Sequence, residues 1–152
     1  LYNEANNISS ALLAKDLFEN ALVLESDLVL YNKEALSKYA YHTHYLGVKM
    51  DVSDDWCFKV DEDLRITEVH IGSEDVYQMV GISYWDAKDG KQLGLDVERL
   101  YNQEGGPAGY WDEVSLIDYK ENYNVYVKPV NADDIIEIDT YEELVAIDSS
   151  YQ

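Results

Sequence analysis

The chain has 152 residues, enough for one domain with a sizeable buried core, and its 47% hydrophobic content excludes a disordered acidic tail. Its 31 acidic against 11 basic residues give a net charge of -20 with no basic cluster, which excludes nucleic acid and anionic membranes and favours a cationic ligand or an anion carried in with a divalent metal. The lone Cys57 excludes an internal disulfide and a zinc-type cysteine pair, and no membrane span or secretory leader is visible, so a reducing cytoplasm is the expected location.

Residues 8–20 carry Ile8, Leu12, Leu13, Leu17 and Phe18 at helical spacing, with Asn6 and Asn7 placed to cap the start. Residues 21–30 read as one short buried strand ending in acids, as at the carboxyl end of a parallel α/β strand. Residues 33–41 look helical. Four strand-like runs follow, YLGVKMDV, WCFKV, ITEVHIG and YQMVGISYW, separated by polar turns such as DEDLR and GSED. Strands in succession without helices predict an antiparallel part of the sheet. Residues 86–102 predict a helix, EGGPAG a loop, and residues 110–118 a short helix. Strands at 125–130 and 135–139 come next, and Thr140 with Glu143 forms a capping box for a last helix. The fold class is α/β with a mixed sheet, in a single domain over residues 1–152.

Two groups of residues carry candidate chemistry. The first is Asp27 with Glu137 and Asp139. Residues two apart in a strand share a face, so Glu137 and Asp139 project together while Ile136 and Ile138 turn the other way. Carboxylates converging from separate strand ends suit Mg²⁺, although in a chain this acidic they also read as solvated strand ends. The second group is Trp56, Tyr84, Trp85, Tyr110 and Trp111, each near acids or another aromatic. Aromatic faces beside carboxylates hold a quaternary ammonium by cation–π attraction, whereas their commonest use is core packing. His42 and His44 lack a third metal ligand and read as exposed polar residues. No Ser/His/Asp or Cys/His nucleophile is found, and the glycines at 105–109 lack the Lys and Ser/Thr of a phosphate loop.

The runs YNEANNISSALLAKDLF, ESDLVL, GISYW, YWDEV and NADDIIEIDTYEEL, taken in order, resemble the bacterial CTP:phosphocholine cytidylyltransferases nearly from end to end. The resemblance implies a Rossmann-like nucleotidyltransferase fold and the conversion of CTP and phosphocholine to CDP-choline and pyrophosphate with Mg²⁺. It implies metal-binding and catalytic roles for Asp27 and Asp139, with Glu137 as a further metal ligand. It places Asn6 and Ser10 beside the nucleotide. Trp56, Tyr84 and Tyr110 become the choline cage, with Asp112 supplying charge. Such a reaction needs no general base, because the attacking phosphate oxygen is already anionic.

One departure is large. The family opens on a Gly-rich loop of the form GxGxR followed by a Lys, which grips the triphosphate, and this chain carries no copy of it. The chain starts at Leu1 and is expected to be the C-terminal portion of the fold, leaving the strand at Ala21 with an uncovered neighbour. It is expected to bind CTP poorly and to turn over little unless a second chain supplies the loop. The acceptor is alternatively 2-aminoethylphosphonate or a sugar phosphate. A non-catalytic module that binds a choline-like ligand or another protein is the competing reading.

Overall fold

A computed structural model describes residues 5–152. A short helix α1 (Ile8–Leu13) leads through a single 3₁₀ turn to strand β1 (Ala21–Leu24) and then β2 (Leu28–Leu30). Two long strands, β3 (His44–Val60) and β4 (Ile66–Trp85), form a hairpin, followed by helix α2 (Ala87–Tyr101). A helical turn α3 (Trp111–Glu113) runs on as a π-helical turn over Val114–Asp118, ahead of β5 (Tyr126–Val130), β6 (Ile135–Glu137) and α4 (Tyr141–Ile147). The main sheet has the order β1-β4-β3-β5, antiparallel except for the parallel β3–β5 pair, and β2 pairs antiparallel with β6. The mixed α/β class holds.

The four strand-like runs are the straight segments of only two strands. GSED is no turn. Gly72 and Asp75 take positive φ (75° and 51°), and the register shifts between Ser53 and Trp56, so both strands bend together while pairing continues. The arm thereby doubles over. Tyr77 and Gln78 pair with Lys49 and Val48 on one side and with Phe58 and Cys57 on the other. At its tip the Ile66 N–H donates to the Val125 carbonyl at 2.9 Å and the Val127 N–H to that of Leu64 at 2.8 Å, so the arm closes back on β5. Tyr45, Phe58 and Val127 fill this curl and join Trp85, Leu93, Val97 and Trp111 in one core under α1 and α2.

Three local expectations fail. Residues 21–30 are not one strand at the end of a parallel array. The chain breaks after Leu24, turns at Ser26 and Asp27, and leaves β1 antiparallel to β4 while β2 moves to β6. Residues 33–41 form only a 3₁₀ turn (Lys33–Ala35), capped by the Asn32 side chain, because Ala35 and Leu36 dock against Leu46 and Ile82 and Leu36 is already extended. His44 is buried in β3, its ring bonded to the His42 carbonyl at 2.9 Å. The capping box at Thr140 and Glu143 is present as expected. No helix among the described residues is long and apolar enough to cross a membrane.

Candidate active site

Two adjoining cavities lie over the end of β1 and share Asn7 and Glu25. The larger, of about 470 Å³, runs between α1 and the 23–27 segment and is lined by Ser10, Phe18, Ser26, Asp27 and Trp111 among others. The smaller, of about 180 Å³, holds Asp55, Trp56, Met79, Tyr110, Asp112 and Glu137. No Lys or Arg lines either, and no ion pair formed among the described residues reaches them.

At the junction, carboxylate oxygens of Glu25, Asp27 and Glu137 lie within 4.8 Å of one another. Local structure sets this up. The Ser26–Asp27 turn carries the chain from β1 into β2, and the Ile138 N–H donates to the Asp27 carbonyl at 2.9 Å, which brings the end of β6 beside the turn. Glu25 reaches the same place because residue 81 is glycine. Gly81 has φ +50°, and a Cβ there would stand 2.2 Å from a Glu25 carboxylate oxygen. Burial, then the charges of Asp112, Asp27, Glu137 and Asp55, push the Glu25 carboxyl up to about 7. Glu137 is raised for the same kinds of reason, desolvation first and then Asp139 and Asp27. In neither case does a hydrogen-bond donor oppose the shift. Three oxygen donors of like charge, without a cation among them, match what a hard divalent ion requires.

Of the residues expected here, Asp27 and Glu137 meet, and Glu25 joins them. Asp139 is outside the trio. It is exposed beyond the end of β6, its N–H donating to Glu143 at 2.9 Å, near enough for its charge to act on Glu137. Trp56 and Tyr110 come together, ring centroids 6.5 Å apart at 60°. Asp112 lines the same cavity, 6% exposed, accepting a 2.7 Å hydrogen bond from the Tyr45 hydroxyl, and burial holds its carboxyl up at about 6 against that bond.

Tyr84 is not part of this group. Successive side chains in β4 alternate, and Trp85 takes the core face, so Tyr84 turns to the opposite side of the sheet against His44, ring centroids 5.6 Å apart. Trp85 and Trp111 serve the core: Trp111 stacks on Phe18 at 6.0 Å. Ser10 is exposed in the larger cavity, whereas Asn6 ties α1 to the 106–108 turn, its N–H donating to the Pro107 carbonyl at 2.7 Å. Asn7 occupies the helix N-cap position without capping. Its side chain accepts the Trp111 N–H at 2.9 Å and so joins α1 to α3 at the shared wall of the cavities.

Asn7, Glu25 and Asp55 are the residues the sequence reading missed. For Glu25 a signal existed: ESD places two acids two apart, the spacing that drew notice in EID.

The chain is 33% identical over 153 residues to a 2-aminoethylphosphonate cytidylyltransferase of Lancefieldella rimae, covering 99% of this chain and 62% of that one. It is 28% identical over 145 residues to a choline-phosphate cytidylyltransferase of Haemophilus influenzae, covering 93% and 61%. The resemblance to the cytidylyltransferases is borne out. Among solved structures, the CTP:phosphocholine cytidylyltransferase of Streptococcus pneumoniae superposes with a TM-score of 0.83 at 24% identity, over 99% of this chain and 66% of that one. An inositol-1-phosphate CTP transferase of T. maritima gives 0.62 at 15%, over 97% and 60%. These share the nucleotidyltransferase fold. The cytidylyltransferase-like chain spans about three fifths of the length of the curated relatives it matches. No family model matches it.

Proposed function

We propose that this chain forms the metal-binding and acceptor-binding part of a cytidylyltransferase site, in which CTP reacts with phosphocholine or a related phosphoryl acceptor bearing a cationic end. The observation that carries the reading is the acid trio at the junction of two cavities of different character. The larger, walled by α1 and Ser10, takes the nucleotide, and the smaller, with Trp56, Tyr110 and Asp112, takes the acceptor. Glu25, Asp27 and Glu137 stand where the two phosphoryl groups would meet, with Asp139 adding negative charge alongside.

The trio would hold Mg²⁺, which when bound supplies the positive charge that draws two anionic reactants together. The protein's own part is positioning. Asn7 fixes the wall between the cavities, and Gly81 leaves room for Glu25. Trp56 and Tyr110 offer faces to the acceptor's cation, and Asp112 lends it a counter-charge. No base is needed, which accords with a site free of His and Cys among its described residues. A second acceptor, 2-aminoethylphosphonate, is favoured by the relative that is 33% identical.

Calorimetry on the folded chain, with Mg²⁺ and each acceptor in turn, tests this. Binding of at least one cationic phosphoryl acceptor is expected, and its loss in Trp56→Ala. An acceptor that binds equally well to that variant, or no binding of any, contradicts the assignment of the smaller cavity. Asp139→Asn is expected to weaken Mg²⁺ binding without unfolding the chain, and unchanged Mg²⁺ affinity in that variant would remove Asp139 from the site.

A further inference from the structure

We infer, on the basis of the cytidylyl-transfer reading above, that the small cavity selects an acceptor ending in a primary ammonium over one ending in a trimethylammonium, with Asp55 and Asp112 as the selecting carboxylates. The two cations make opposite demands. A trimethylammonium has no N–H, presents methyl surface all round, and is held by several aromatic faces with a carboxylate at longer range. A primary ammonium is strongly hydrated and enters a pocket only where acceptors replace its water, up to three of them.

The walls meet the second demand. Among the described residues, Trp56 and Tyr110 are the two aromatic side chains lining the cavity. Tyr84, the third ring expected there, faces the other side of the sheet against His44. Four carboxylates share the remaining wall: Glu25, Asp55, Asp112 and Glu137. Glu25 and Glu137 also belong to the trio around Asp27, so a divalent ion there draws on them first. Asp55 and Asp112 are outside that trio. Each is engaged by one protein donor: Asp55 Oδ1 accepts the Trp56 N–H at 2.6 Å, and Asp112 Oδ1 accepts the Tyr45 hydroxyl at 2.7 Å. A carboxylate has lone-pair sites for more than one donor, so both keep capacity for an ammonium N–H. Three methyl groups in a space of about 180 Å³ would instead set carbon against carboxylate oxygen and satisfy none of them.

Phosphoethanolamine and phosphocholine differ only in N-methylation, which makes them the probes. Each is titrated calorimetrically, with Mg²⁺, into the folded chain and into Asp55→Asn, a change at an exposed side chain. Phosphoethanolamine is expected to bind about tenfold more tightly, and Asp55→Asn to weaken it about tenfold while changing phosphocholine less than about threefold. Equal or tighter binding of phosphocholine overturns the inference and leaves the acceptor site standing. So does an Asp55→Asn variant that weakens both probes alike. Failure of the wild-type chain to bind either probe overturns the inference together with the acceptor site itself.

Discussion

Two deeply buried carboxylates, Asp96 on α2 and Asp112 on α3, have opposite surroundings. Asp96 is 2% exposed and its Oδ2 accepts from Gln92 at 3.0 Å, Asn122 at 2.9 Å and the Tyr123 hydroxyl at 2.7 Å. Asp112 is 6% exposed, accepts one hydroxyl, faces a cavity and has its pKa raised to about 6. The first is a satisfied tie between α2 and the segment before β5. The second is held short of partners beside the cavity proposed to take the acceptor's cation. Burial alone does not separate a structural acid from a functional one; the count of its donors and what it faces do.

Four substitutions sharpen or break that contrast. Asp96→Ala strands three donors and is expected to cost roughly 3 kcal/mol in chemical denaturation. A loss below a third of that would mean water replaces the carboxylate and the tie is not structural. Tyr45→Phe removes the one donor to Asp112 and should cost about 1.5 kcal/mol by the same method. Gly81→Ala puts a Cβ against Glu25 on left-handed backbone, so about 1 kcal/mol of strain is expected together with weakened divalent-metal binding. Unchanged metal affinity there would separate Glu25 from the trio.

Asp112→Asn is the smallest in stability. The amide oxygen still accepts from Tyr45 and a buried charge is gone, so the melting temperature at pH 7 should hold or rise. Its pH dependence carries the sign. Asp112 and Glu25 have folded values raised from 3.8 to about 6 and from 4.5 to about 7, so the folded state binds the extra protons. Their contribution is full below the unfolded values and is lost as pH rises through about 6 and about 7. The wild-type chain should therefore melt higher at pH 5 than at pH 8, and Asp112→Asn should flatten the part centred near 6. A wild-type profile that rises toward pH 8 would contradict both shifts.

Much of this arrangement was legible in the sequence. Strand-like runs marked the straight segments of β3 and β4, and the capping box placed α4, because both are local signals. What stayed hidden depends on contacts far apart in the chain. Nothing local shows that the β3–β4 arm doubles over and closes on β5, and the bend that lets it do so lay in GSED, which reads as a turn. Asp27 and Glu137 were found, while Glu25 was missed because its place depends on the missing Cβ of Gly81, 56 residues away. Tyr84 was misplaced by one step of strand parity: with Trp85 in the core, its neighbour has to face away.

The central claim is that Glu25, Asp27 and Glu137 form a divalent-metal site at the meeting point of the two cavities. Electron paramagnetic resonance of Mn²⁺ at pH 8, above the raised Glu25 value of about 7, measures it most directly in wild-type chain and in Asp27→Asn. A single tight Mn²⁺ site per chain, lost in the variant while weak binding to the surface acids persists, is the predicted result. Identical Mn²⁺ binding by the two proteins would contradict the site.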